Sequence, residues 1–185
     1  MTEKSRSGAT YDDLVAAPED RIAEMLGGDL YLSPRPALRH SRVISVLGAD
    51  IHDAFDHGRS GPGGWWILDE PELHLGGDVL VPDLAGWRRE RMPSIPDAPA
   101  MELAPDWVCE VLSPSTERFD RSQKMPRYAL AGVFHIWIVD LPKRRIEVHA
   151  REGIDWRLLE CYSGSVTIAA APFDAVPIEL GALWP

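Results

Sequence analysis

The chain has 185 residues, 19 of them basic and 29 acidic, for a net charge of −10 and a pI near 5.0. With 45% apolar and 26% charged residues it has the composition of a folded domain with a sizeable core, which excludes a disordered chain. The acidic balance excludes coating of nucleic acid by bulk positive charge and leaves room only for a local basic groove.

In chain order, residues 1–9 read as a flexible tail and 10–185 as a single domain. Thr10 with Asp13 three residues on caps a short helix ending before Pro18. Residues 23–33 form a hairpin around Gly27-Gly28. Ile44, Leu47, Ile51 and Ala54/Phe55 recur every three or four residues, marking a helix from Ala37 to about Asp56 that Gly58 closes. Strands follow at 65–69, 72–75, 79–87 and 106–112, then a helix within 121–131 that ends at Gly132. The run Val133–Val139 is apolar on both faces and reads as a central strand. Strands at 145–150, 156–162 and 166–170 finish the sheet, giving an α+β or α/β arrangement of helices around a mixed sheet.

Cys109 and Cys161 lie in apolar runs and read as buried free thiols of a reducing compartment. Residues 1–13 lack the apolar stretch of a secretory signal, and no apolar run approaches the roughly 18 residues a membrane span needs, so a cytoplasmic protein without a membrane partner is expected. There is no phosphate-binding glycine loop, no dinucleotide turn, no H-E-x-x-H helix and no C-x-x-C pair. Gly58-Arg59-Ser60-Gly61-Pro62 carries proline where a nucleophile elbow needs glycine.

Chemistry concentrates in Val81-Pro82-Asp83, expected in the middle of a strand, and in Glu110, embedded in Asp106-Trp-Val-Cys-Glu-Val-Leu112. A carboxylate in such an apolar run is costly unless it is paired, hydrogen-bonded or metal-bound. On neighbouring strands the two would share one hard cation, and Mg²⁺ needs only one or two protein carboxylates. Lys124 follows 14 residues after Glu110 in a chain whose only other lysines are Lys4 and Lys143. A lysine there can orient a nucleophilic water or stabilise developing charge.

Pro82-Asp83, Glu110-Val-Leu-Ser-Pro-Ser-Thr116, Asp120-x-x-x-Lys124-x-x-x-Tyr128, Gly132-Val133 and Trp137-Ile-Val-Asp140 together resemble the Uma-type restriction endonuclease family of the PD-(D/E)XK superfamily. The resemblance covers about residues 10–184, including the Glu24-x-x-x-Gly28 hairpin and His40. It implies a restriction-endonuclease-like αβββαβ core, with a central mixed β-sheet flanked by helices. It also implies phosphodiester hydrolysis with Mg²⁺ or Mn²⁺. Asp83, Glu110 and the backbone carbonyl of Val111 would hold the metal, and Asp83, Glu110 and Lys124 would be catalytic, with Glu24 and His40 auxiliary. Leu112 stands where the superfamily's simplest motif has lysine, so the lysine has moved to the following helix, as Lys124. Pro126 then predicts a late helix start that leaves Lys124 on a loop.

The implied partner is nucleic acid, with DNA favoured, and cutting two strands calls for a homodimer. With no asparagine and Gln123 the only glutamine, base reading falls to arginine and backbone groups, which predicts weak or guanine-biased specificity. Asp120 reads as a helix cap, and Trp65-Trp66 as a partner-contacting pair. The clusters Arg88-Arg89-Arg91, Arg118-Arg121-Lys124-Arg127 and Lys143-Arg144-Arg145 read as candidate phosphate grips. Two alternatives stand beside this reading: a catalytically inactive nuclease fold serving as a binding module, and a metal-independent carboxylate-pair hydrolase, which a chelator would leave active.

Overall fold

The computed structural model describes residues 1–185. The first half comprises β1 (Glu3–Ser7), α1 (Tyr11–Val15), β2 (Arg21–Leu26), β3 (Asp29–Pro34), α2 (Leu38–Ile51), β4 (Trp65–Asp69), β5 (Leu73–Leu75), β6 (Asp78–Leu80) and β7 (Leu84–Arg88). The second comprises β8 (Trp107–Leu112), α3 (Glu117–Phe119), α4 (Met125–Ala131), β9 (His135–Asp140), β10 (Arg145–Glu152), β11 (Asp155–Ser163), β12 (Thr167–Ile168) and β13 (Ile178–Glu179). A π-helical turn, His52–Asp56, extends α2, and a second, Asp120–Lys124, joins α3 to α4.

The central sheet has the order β11-β10-β9-β8-β7-β4 and is mixed, because only β8 and β9 run parallel. Parallel neighbours need a crossover, which α3–α4 supplies. In chain order α2, β4, β7, β8, α3–α4 and β9 are the αβββαβ core the resemblance implied. Residues alternate cleanly along β8. Trp107, Cys109 and Val111 join the core under α2, while Val108 and Leu112 join the core under α4. Glu110 occurs on that second face, where an apolar residue would otherwise sit.

Several sequence expectations change. Residues 3–7, expected in a frayed tail, form β1 paired with β3, at the edge of a second sheet ordered β1-β3-β2-β6-β5. The strand expected over 79–87 is two strands in different sheets, so Asp83 lies at a break rather than mid-strand. Pro82 has no N–H for a ladder, and the chain crosses between sheets there. Residues 167–168 pair with β13 instead of extending the central sheet. In α2 the buried apolar residues are Val43, Leu47 and Ile51, following the buried His40, and Ile44 is only half buried. Cys109 is buried but Cys161 is exposed, because it sits on the edge strand β11. Trp65 is core, packed on Phe173 at 4.9 Å between ring centroids. Trp66 is half buried beneath the Arg89 guanidinium, 3.8 Å from its ring. No helix is long and apolar enough to cross a membrane.

Candidate metal and catalytic site

The register Leu84↔Cys109 between β7 and β8 sets Asp83 beside Glu110 and runs out where Val111 would meet Pro82. Val111 N–H therefore lacks a ladder partner on that side, and Asp83 Oδ2 accepts it at 2.6 Å. The Val111 carbonyl accepts from His40 Nε2 at 2.5 Å, and the same nitrogen lies 3.5 Å from Asp83 Oδ2. A carbonyl cannot donate, so this contact puts the proton on His40 Nε2.

Lys124 reaches the site. Its Nζ lies 2.8 Å from Glu110 Oε1, 2.9 Å from the Val81 carbonyl and 3.1 Å from Glu24 Oε1, so three oxygens match its three N–H groups. Glu24 Oε1 also accepts from Val81 N–H at 2.9 Å, and Tyr128 donates to Glu110 Oε1 at 2.7 Å. Both backbone groups of Val81 thus serve site side chains, as the break before Pro82 leaves them without ladder partners.

The loop expected around Lys124 is absent. Met125, the residue before Pro126, is helical at φ −52° and ψ −50°. Proline has no N–H to return to the preceding turn, and the helix widens into the π turn immediately before it, so no break is needed. Asp120, Lys124 and Tyr128 are all buried, four residues apart along one helical face. Asp120 is therefore no helix cap, and it lines the same cavity as Asp83, Glu110 and Lys124. The four-residue spacing was visible in the sequence, but it did not distinguish a solvated helix face from one turned to a site.

Burial pushes the Asp83 and Glu110 carboxyls up, against the pull of His40 and Lys124 on the first and of Lys124 on the second. Burial likewise lifts Asp120 to about 7, opposed by Lys124 and Thr116. Burial pulls the Lys124 ammonium down, but the Glu110 and Glu24 carboxylates outweigh it and hold the ammonium well above its ordinary range. Burial and Glu110 raise the Tyr128 phenol, so it stays a donor.

The cavity, about 340 Å³, is lined by Glu24, His40, Asp83, Glu110, Asp120 and Lys124 together with the Ser113–Thr116 turn. No three His, Cys, Asp or Glu side chains converge closely enough to enclose a metal alone. The donors that do converge are two desolvated carboxylates and a carbonyl, each with lone pairs its protein partners leave unused. Such a hard oxygen set suits Mg²⁺ or Mn²⁺ completed by water and substrate oxygens, and a cation would offset the cost of burying both carboxylates. The residues present fit the metal.

Arginines near the site are mostly committed elsewhere. Arg121 holds Glu147 through two bonds, at 2.8 and 2.9 Å, and Arg127 lies 3.0 Å from Asp78. Arg89 and Arg91 pair with Asp56 and Asp106, and Lys143 and Arg145 with Asp140. These members of the three basic clusters hold the fold together instead of presenting charge to a ligand.

No curated protein matches the chain. A crystal structure described as "a putative nuclease belonging to DUF820", from Anabaena variabilis ATCC 29413, superposes with a TM-score of 0.76 at 20% identity. The match covers 95% of this chain and 97% of that one, and it shows a shared fold. The family model of Uma2, described as "Putative restriction endonuclease", matches residues 9–178. The chain, with Asp83, Glu110 and Lys124 converging at the end of β8, belongs to the Uma2 family.

Proposed function

We propose that this protein is a divalent-metal-dependent endonuclease that hydrolyses phosphodiester bonds of nucleic acid, with DNA the favoured substrate. The observation that carries the reading is the convergence of Asp83, Glu110 and the Val111 carbonyl, three hard oxygen donors, in one cavity with Lys124. The nuclease description of the family and of the structural neighbour supports it.

Asp83, Glu110 and the Val111 carbonyl would hold Mg²⁺ or Mn²⁺, which when bound supplies a Lewis acid and a lowered pKa for water. His40 and Asp83 hold Val111 by its carbonyl and its N–H respectively, so the carbonyl is fixed before any ligand arrives. Lys124 orients Glu110 and offsets charge in the cavity. Its hydrogens are all engaged, so it must surrender one oxygen, that of Glu24 being the most distant at 3.1 Å, to touch a phosphate or an attacking water. Tyr128 holds the second position on Glu110 Oε1. On duplex DNA two such sites are needed, which favours a homodimer.

The test is cleavage of supercoiled plasmid and labelled oligonucleotides with Mg²⁺ or Mn²⁺ by wild type, Asp83→Ala and Glu110→Ala, alongside calorimetric metal titration. Metal-dependent cutting that a chelator abolishes, and that each variant lowers by about 100-fold or more, is expected. A folded wild type that neither cuts nor binds metal would overturn this reading and leave a binding module. Activity that survives a chelator would point to a metal-independent hydrolase.

A further inference from the structure

A second cavity, about 460 Å³, adjoins the first and shares with it Ala37, His40, Ser113 and Pro114. The two form one groove that begins at the carboxylates and runs between the start of α2 and the β9–β10 turn. Its far half differs from the rest of this acidic molecule, since no Asp or Glu side chain lines it. Arg39 and Arg144 do, and both are exposed with no carboxylate within ion-pair distance.

Arg144 is informative because of its neighbours. Lys143 and Arg145, on either side, both pair with Asp140, whereas Arg144 is left to the groove. It is also held at φ 47°, a left-handed backbone that a residue bearing a Cβ rarely adopts. Its carbonyl accepts from Gly164 N–H at 2.9 Å, which fixes the turn. Trp184 forms the wall, half buried, its indole N–H spent on the Gly164 carbonyl, so it offers the groove only an apolar face.

We propose that this second half of the groove is the binding track for the nucleic-acid strand leaving the carboxylate site, with Arg39 and Arg144 gripping consecutive phosphates and Trp184 lying against a base. The inference rests on the nuclease reading above and adds where the substrate runs. Unpaired guanidiniums bind phosphates bidentately, and an aromatic face receives any base, so the track is indifferent to sequence.

The test is fluorescence anisotropy of labelled single-stranded and duplex oligonucleotides, in DNA and RNA forms, with Ca²⁺ in place of Mg²⁺ to suppress turnover. It compares wild type, Arg39→Ala, Arg144→Ala, the double variant, and Arg157→Ala as a control on the exposed edge strand β11, outside both cavities. Arg144→Gly accompanies them, because glycine accepts the left-handed backbone and any loss then belongs to the guanidinium. The double variant should lose about tenfold or more in affinity at low salt and flatten the slope of log K against log salt by about two, one per phosphate contact. Metal titration should be unchanged in every variant, and Arg157→Ala should bind as wild type. Wild-type binding that the double variant retains with the same salt slope would overturn the track and leave the nuclease reading intact. A wild type that binds none of the four oligonucleotides would overturn both. The arm that binds tightest identifies the strand.

Discussion

Around the Lys124 ammonium stand four carboxyl groups, from Glu24, Asp83, Glu110 and Asp120, all lining one cavity. That excess of acid gives a buried proton a place to sit: burial raises Asp83 and Glu110, and lifts Asp120 to about 7. Unfolded, Asp120 would titrate near 3.8. Between these values the folded protein binds the additional proton, so stability falls as pH rises through that window and levels off above it. Asp120→Asn carries no charge at any pH and should therefore gain in melting temperature over wild type at pH 8 and match it near pH 4. A difference independent of pH would mean that burial does not govern this carboxyl. Lys124→Met removes the partner of Glu110, Glu24 and the Val81 carbonyl together. Leaving a buried charge unpaired costs about 3–5 kcal/mol, read by urea unfolding at pH 8. Pairing it with Glu110→Gln should recover part of that loss, since one of the stranded charges is then gone.

At the scale of elements, two interruptions build the site. Pro82 stops one strand and lets the next begin in another sheet, freeing Val81 N–H and C=O for Glu24 and Lys124. The π turn before Pro126 turns Lys124 inward while Asp120 and Tyr128 stay on the same face. Gly132 then closes α4 in the left-handed conformation at φ 93°, and an added Cβ would meet nothing within 4 Å. Gly132→Ala should accordingly cost only the backbone preference, about 1 kcal/mol, with metal binding unchanged. Calorimetric melting and metal titration check both halves. A larger loss would show that α4 and the site are coupled through this cap.

Over the whole molecule, the central sheet separates two cores, and Phe173 ties the C-terminal segment into one of them. Its ring sits 4.7 Å from Phe55, 4.8 Å from Trp107, 4.9 Å from Trp65 and 5.7 Å from Trp137. Phe173→Ala leaves a cavity among four large rings and should cost about 3–5 kcal/mol, followed by thermal unfolding and the near-ultraviolet signal of the tryptophans. A loss below about 1 kcal/mol would mean that the segment after β12 contributes little to this core. The same core faces α2, whose first turn carries His40, so the packing that holds α2 also sets His40 against Val111.

From residue order alone, the helix over α2, the Gly27-Gly28 hairpin and the central position of β9 were legible, and the resemblance carried by distinctive ordered residues grouped Asp83, Glu110 and Lys124, which the fold brings into one cavity. Each depends on a local period or on residues whose order along the chain is distinctive. The tail that became β1, the break at Pro82, the helix that carried Lys124 through Pro126 and the burial of Asp120 were not. Strand pairing at a distance satisfies β1 and interrupts the ladder at Pro82. Packing of α4 on the sheet decides which helical face is dry, a matter on which the four-residue spacing is silent. The clustered arginines read alike in the sequence. Only tertiary structure, by bringing Asp56, Asp78, Asp106, Asp140 and Glu147 against most of them, decided that Arg144 is left free to meet a ligand.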